Sequence, residues 1–356
     1  MKVTVAGASG VVGAALLTAL VNDGTEHLGL SRRAPEVRGC THATCDLTDA
    51  AGTHAVVATN AADTTHLVYA ALYEQPGLIA GWRDREQMAT NEAMLKNLLD
   101  ALEAADAPLT HVTLLQGTKA YGAHLAPMKV PGRESEPRHP HENFYWLQED
   151  LLRARAHKAD YTFTIWRPQV IFGHALHAPM NMLTALGVFA AISREKGEPL
   201  RYPGGPAAVM EAIDADLLAR AIRFAWGNPA FDGETFNITN GDVFTFENVW
   251  HVIAECFQMP VGEPTRTILS ETIYDEEATW REIVNRYNLS PHTIRELVGD
   301  SFFYADALMN TRGNVTPPPS LVSTVKLRQA GFDECLDTED MLRQGFDRLK
   351  ASRLLP

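Results

Sequence analysis

Glycines recur at every third position in Gly7-Ala8-Ser9-Gly10-Val11-Val12-Gly13, between a short apolar run (Lys2–Ala6) and a longer one (11–21). At a strand-to-helix junction this spacing permits a tight turn. It also lets backbone N–H groups along 9–12 approach a pyrophosphate at the helix N-terminus. A Gly-rich turn needed only for packing has the same pattern, and the position at the first strand–helix junction favours the dinucleotide. The second apolar run ends in Ser31-Arg32-Arg33. An acidic residue there would take the ribose 2′-hydroxyl of NAD. A hydroxyl and two guanidiniums instead suit a 2′-phosphate, through planar charge-assisted bonds, so the expected cofactor is NADPH/NADP+. A solvated surface pair of arginines is the alternative. Asp46, before Leu47, is placed either to accept from an adenine amino group or to close a turn. Tyr69-Ala70-Ala71 follow a strand, and small residues there would let the cofactor lie close.

A second constellation holds an ammonium and a phenol. The strand at 110–115 runs into Gln116-Gly117-Thr118-Lys119-Ala120-Tyr121. Ligands of an open α/β sheet sit beyond the carboxyl ends of its strands, which puts Gln116 and Gly117 beside the cofactor and Lys119 where a substrate would lie. Tyr145 opens the helix at 143–158. Short-chain dehydrogenases place a Tyr at such a point with a Lys four residues on, the Lys lowering the phenol's pKa. None of the nine tyrosines here has that Lys, and Tyr145 has Glu149 instead. Further on, Trp166-Arg167-Pro168-Gln169-Val170-Ile171 follows another strand. There Pro168 fixes φ without an N–H, so the amides of Val170 and Ile171 are the expected donors to a nicotinamide carboxamide.

The elements that must position these groups alternate. Strands are expected at 2–6, 28–31, 65–69, 110–115, 161–166 and 235–239, with helices at 11–21, 85–105 and 143–158 between them. The clearest helix carries Met88, Asn91, Leu95, Leu98 and Leu102 at steps of three and four. Its Asn91 lies on the apolar face and must find partners, beside the cofactor or in a purely structural bond. Alternation of this kind implies βαβ units and a doubly wound parallel Rossmann sheet. Helices are also expected at 179–193, 214–226, 245–257 and 337–350. The fold class is thus α/β, with residues 1–173 and about 210–240 forming the dinucleotide-binding lobe. Residues 174–209 and 241–356 would form a smaller, mostly helical substrate lobe.

Composition narrows the class. The chain of 356 residues carries 31 Lys+Arg against 44 Asp+Glu, a formal charge of −13. That speaks against a nucleic-acid surface or a polybasic membrane patch. Four cysteines without a CxxC point to no disulfide framework, and to a reducing, cytoplasmic setting. The apolar N-terminal stretch resembles a signal peptide, but three glycines interrupt it. No run reaches the roughly 18 apolar residues of a membrane span. His139/His141 and His174/His177 lack clustered carboxylates, so no metal is expected.

Four segments together carry a family resemblance: LQGTKAYG (115–122), NFYWLQED (143–150), WRPQVIFG (166–173) and FNITNGDVFTFENVW (236–250). They resemble the progesterone 5β-reductase/iridoid synthase-like (PRISE) group of extended short-chain reductases, whose pattern is close to TGxKHYxG followed by NFYYxxED. The resemblance runs over essentially the whole chain. Ala120 stands where the family has His, and Trp146 where it has a second Tyr. The resemblance implies NADPH-dependent 1,4-reduction of a small hydrophobic enone or enal, with Tyr145 and Lys119 catalytic, and a homodimer. Hydride addition at the β-carbon places negative charge on the carbonyl oxygen. The Tyr145 hydroxyl and Lys119 ammonium would stabilise that charge, with Lys119 also depressing the Tyr145 pKa. Tyr121, Trp146, Met180, Asn181 and Phe302 are candidates for the substrate pocket, each also compatible with plain packing. A carbonyl reductase of the same fold and a non-catalytic NADP-binding sensor are the alternatives. A nucleotide-sugar epimerase would need the absent Tyr–Lys pair.

Overall fold

The computed structural model describes the chain except residues 77, 79 and 80. Among the described residues, a seven-stranded parallel sheet has the order β10-β6-β5-β4-β1-β2-β3. Its strands are β1 (Lys2–Ala6), β2 (Glu26–Ser31), β3 (His42–Thr44), β4 (His66–Tyr69), β5 (His111–Leu115), β6 (Thr162–Pro168) and β10 (Glu234–Ile238). Two parallel pairs lie outside it: β7 (Val170–Phe172) with β9 (Ala212–Asp214), and β8 (Leu200–Arg201) with β11 (Val261–Gly262). The strand order reverses between β1 and β4, which opens a crevice at their carboxyl ends.

Both faces of the sheet are covered, so its central strands are largely apolar, with Thr4, Thr113 and Thr164 buried among them. On one face, Leu16, Leu17 and Leu20 of α1 (Val11–Asn22) pack with Leu217, Leu218 and Ile222 of α6 (Ala215–Ala225). On the other lie α2 (Ala50–Asn60), α3 (Arg85–Ala104) and α4 (Phe144–Ala156), which bury Val57, Leu95, Leu98, Leu102 and Leu152. The expected helix at 85–105 is present with its apolar face inward. Helix α2 was not expected: AAGTHAVVATN has few large apolar residues, and only Thr53 and Val57 of it are buried. Asp214 caps α6, accepting from the amides of Asp216 and Leu217, as its position before a helix suggests.

A third core fills the rest of the chain. It joins α5 (Met182–Glu195) to α7 (Trp250–Cys256), α8 (Leu269–Thr272), α9 (Glu277–Tyr287), α10 (Ile294–Val298), α11 (Ser301–Leu308) and α13 (Thr338–Ala351) around Trp250, Trp280, Phe302 and Phe346. Helix α12 (Val325–Gln329) instead packs on β10. Several of these helices span five residues or fewer, too short for a periodic pattern to be read from sequence. No helix of the described residues is long and apolar enough to cross a membrane.

One buried carboxylate locks α4 to the sheet. Glu149 accepts from Gln116 Nε2 at the end of β5 (3.0 Å) and from Arg153 Nε of its own helix (2.9 Å). Arg138 lies 3.2 Å away and Arg167 of β6 3.7 Å away. Burial raises the Glu149 pKa, but the Gln116 hydrogen bond and the Arg153 and Arg138 charges outweigh it and hold the carboxyl below its ordinary value. Its contribution to stability is therefore present above the unfolded-state pKa and is lost as pH falls through the lower folded value. Glu149→Ala should cost about 3 kcal/mol, mainly by stranding the buried Arg167 guanidinium. Urea unfolding followed by circular dichroism would show the loss at neutral pH, with the gap to wild type narrowing in acid.

Candidate active site

The glycine turn forms the floor of the crevice. Gly7 has φ +85°, and a Cβ on it would fall 2.6 Å from the Ala70 carbonyl carbon. A Cβ on Gly13 would come within 2.3 Å of the Gly7 carbonyl oxygen. The backbone thus passes where no side chain fits. The turn is pinned by Gly7 N–H to Leu30 O (2.9 Å) and by Gly10 N–H to Gly7 O (3.0 Å). Gly10 caps α1 without a side-chain bond and no acidic residue occupies the first turn. The amides around Val11 and Val12 and the helix dipole are therefore left for an anion. The Val12 side chain itself is buried in the core, so only its backbone faces the crevice. Ser9, Arg33, Gly173, Asp214 and Arg348 are among the residues that line a cavity of about 490 Å³ beside this turn.

At the end of β2, Arg32 and Arg33 are exposed, and among the described residues neither pairs with a carboxylate. Partial desolvation of its guanidinium and the Arg32 charge hold Arg33 below the usual guanidinium range. Two adjacent, unpaired guanidiniums fit a phosphate dianion. Ser31 is different. Its hydroxyl donates to the Arg33 carbonyl (2.6 Å) and meets His42 Nε2 (3.2 Å), which shapes the turn. Asp46 accepts from the amide and hydroxyl of Thr48 through Oδ1 (3.0 and 2.7 Å). Those bonds, and the Arg32 charge, keep its carboxyl below the ordinary range. Leu47 is buried, with its carbonyl held by Asn97 (2.8 Å).

Beyond β4 the expected cofactor contacts divide. Ala70 and Ala71 form the backbone against which Gly7 packs. Tyr69 instead points into the core with its hydroxyl unpartnered, and burial pushes its pKa far up. Gln116 likewise serves the scaffold. Its Nε2 donates to the Tyr145 carbonyl (3.3 Å) and to Glu149, its Oε1 accepts from Arg167 (2.9 Å), and its N–H donates to Trp166 O (2.7 Å). Gly117 lies under the phenol: a Cβ there would be 3.3 Å from Tyr145 Oη. Pro168 ends β6, and Val170 and Ile171 lie in β7 beside Ala212 and Ile213 of β9.

Asn143 ties the backbone at Lys119 to the backbone at Tyr145. As N-cap of α4, its Oδ1 accepts from the Tyr145 amide (3.0 Å), and its Nδ2 donates to the Lys119 carbonyl (3.1 Å). Lys119 sits in a single 3₁₀ turn, Thr118–Tyr121. Its ammonium lies 3.5 Å from Glu74 Oε1 and 3.9 Å from the centre of the Trp82 ring. Burial lowers the Lys119 pKa and the Glu74 charge opposes it. Burial raises the Tyr145 pKa strongly, and the charge of Glu74 and the neighbouring Tyr304 add to it, against a lowering by Arg167. The expectation that Lys119 depresses Tyr145 is thus corrected, because the ammonium's charge is directed at Glu74 and the phenol is desolvated. Glu74 and Trp82 are the site residues that sequence reasoning missed. The only signal was a carboxylate in an apolar loop at the carboxyl end of a strand.

Most of the expected pocket residues make structural contacts within the protein. Tyr121 donates to Asn237 Oδ1 (2.7 Å) and accepts from Arg167 (3.3 Å). Asn181 caps α5 and donates to Ala175 O (3.2 Å). Phe302 is wholly buried in the C-terminal core. Trp146 lies over the Arg138 and Arg167 guanidiniums, 4.9 and 5.7 Å from its ring centre, while contributing to the apolar cluster around Tyr145. Met180 is half-buried just before α5. Asn91 is fully buried and clamps the backbone of Tyr73, next to Glu74. Among the described residues, no group of three or more His, Cys, Asp or Glu is arranged to hold a metal ion.

The NAD dependent epimerase/dehydratase family model matches residues 3–239. An (S)-8-oxocitronellyl enol synthase of Antirrhinum majus is 30% identical, over 88% of this chain and 79% of that protein. A 3-oxo-Delta(4,5)-steroid 5-beta-reductase of Arabidopsis thaliana is also 30% identical, over 88% of this chain and 80% of that protein. Among solved structures, a UDP-glucose 4-epimerase of Thermotoga maritima superposes with a TM-score of 0.68 at 16% identity, covering 99% of each chain, which is a likeness of fold. The glycine turn, the Lys119–Tyr145 arrangement and these matches agree: the chain belongs to the NAD dependent epimerase/dehydratase family, and within it to the progesterone 5β-reductase/iridoid synthase-like group.

Proposed function

We propose that this protein is an NADPH-dependent ene-reductase that reduces the activated C=C bond of a small hydrophobic enone or enal. The observation that carries the reading is the junction made by Asn143, which sets a buried ammonium and a buried phenol on adjoining turns at the carboxyl ends of β5 and α4's entry. The relatives named for steroid 5β-reduction and oxocitronellyl enol formation support it. Residues 1–173 with about 210–240 would hold the dinucleotide, and the remaining segments would shape the substrate cleft. In the dinucleotide lobe Gly7, Ser9, Gly10 and the Val11–Val12 amides suit the pyrophosphate. Arg32 and Arg33 suit a 2′-phosphate, the free oxygen of Asp46 suits an adenine amino group, and the Val170–Ile171 backbone suits the carboxamide.

When bound, NADPH supplies a hydride. The residues' task is at the carbonyl oxygen, where charge develops as the β-carbon is reduced. Tyr145, kept protonated by burial, presents an O–H donor across the neutral range. Lys119 adds a positive charge in a water-poor site, where it acts more strongly than in solution. Because the phenol stays neutral until it gives up its proton, the same group can hydrogen-bond the enolate oxygen and protonate it.

The test is turnover of 2-cyclohexen-1-one with NADPH, with products identified by mass spectrometry and NMR. The saturated ketone is expected. An allylic alcohol would make the protein a carbonyl reductase, and tight NADPH binding without turnover on any enone would make it a sensor. Tyr145→Phe should lower kcat about 100-fold while leaving the NADPH Kd unchanged. Arg32→Ala should raise the KM for NADPH about tenfold and leave that for NADH nearly unmoved. Equal shifts for both cofactors would remove the 2′-phosphate from this site.

A further inference from the structure

The loop that leaves β4 is tied down on both sides of Glu74. Asn91 of α3 accepts from the Tyr73 N–H and donates to its carbonyl, each at 2.9 Å. Gln87 accepts from the Gln75 N–H at 2.8 Å. Asp84, which caps α3, takes the Gln87 N–H (2.7 Å) and a Gln75 amide proton (3.1 Å). Glu74 itself points inward with its side chain 4% exposed, its Oε2 taking a hydrogen bond from Gln87 Nε2 (2.9 Å) and its Oε1 facing Lys119. The Lys119 ammonium, 16% exposed, is therefore bracketed by a carboxylate and the face of Trp82. An ammonium this deeply placed needs a counter-charge to remain charged, and an indole face alone is a weak one.

We propose that Glu74 is a positioning residue for the reaction: its carboxylate, with the Trp82 ring behind it, holds the Lys119 ammonium charged and aimed beside Tyr145. The proposal rests on the ene-reductase reading for its catalytic consequence, and on the geometry alone for the clamp. A competing role is visible in the same contacts. Glu74 could merely staple its loop through Gln87. The two roles separate cleanly, because a glutamine at 74 keeps an oxygen for Gln87 but no charge for Lys119. The stapling is, moreover, already carried by Asn91 and by Gln87's bond to Gln75.

The experiment pairs kinetics with a chemical probe. Glu74→Gln should fold to a native circular-dichroism spectrum with a lowered melting temperature, bind NADP+ with unchanged affinity by fluorescence, and reduce 2-cyclohexen-1-one with kcat lowered about tenfold or more. Glu74→Asp should recover part of that loss. In a Lys119→Met background the same substitution should change the residual rate less than about twofold, since the two residues act as one unit. In cofactor-free protein, reductive methylation of Lys119, read by peptide mass spectrometry, should be several-fold faster in Glu74→Gln because more of the amine is uncharged. Wild-type turnover in Glu74→Gln while Tyr145→Phe is impaired, or equal losses with and without Lys119, would overturn the positioning role. Should Tyr145→Phe and Lys119→Met both retain full turnover, the ene-reductase reading fails instead. The methylation rate then decides the clamp independently, an unchanged rate refuting it.

Discussion

A carboxylate taken out of water must be compensated where it stands, and the arrangement of this active site follows from one such group. Glu149 lies four residues beyond Tyr145, one helical turn along α4, where other short-chain enzymes place a lysine. It is answered by Gln116 from β5, Arg167 from β6, and Arg138 and Arg153 from before and within its own helix. Removing any large part of this set would leave a buried charge exposed to a low dielectric, so α4 has little freedom to roll or slide on the sheet. Its register in turn sets the Tyr145 hydroxyl over Gly117. Arg167 extends the constraint through the Tyr121 hydroxyl to Asn237 of β10, and Asn237 holds the carbonyls of Gly132 and Ser323. A chain of satisfied polar groups thus runs from α4 to two loops far apart in sequence.

What could be read in the sequence is what local physics determines. The strand–glycine–helix opening is legible because β1 is buried on both faces and the turn admits no Cβ at 7 or 13. Helix α3 is legible because its apolar face is continuous. Helix α2 and the short helices of the C-terminal core are not, since they are held by neighbours rather than by their own periodicity. The site divides the same way. Lys119 and Tyr145 stand out through their motifs, and the free guanidiniums of Arg32 and Arg33 through their place after β2. Ser31, Gln116, Tyr121 and Asn181, expected to meet ligands, each also bond the protein. A polar side chain at a strand end has the same sequence signature whether its partner is a cofactor or a carbonyl. Glu74 was invisible for the converse reason: its partner lies 45 residues away, joined by a loop fold that no short pattern encodes.

The separation of the two donors has a chemical consequence. With a lysine four residues after the tyrosine, one helix carries both groups, and the ammonium's charge pulls the phenol toward ionisation. Here the groups come from different elements. Tyr145 rides on α4, under the control of Glu149. Lys119 rides on a turn after β5, bracketed by the β4–α3 loop. Burial of the phenol, with the Glu74 charge adding to it, holds the Tyr145 pKa up, so the phenol keeps its proton. A phenol that is ionised at rest suits the removal of a proton from an alcohol. One that is protonated at rest suits the opposite situation, in which a neutral carbonyl arrives and negative charge appears on it during the reaction. On the proposed ene-reductase reading, the placement of glutamate at 149 and of lysine at 119 would bias this framework toward reduction, by having a donor ready before any charge has formed.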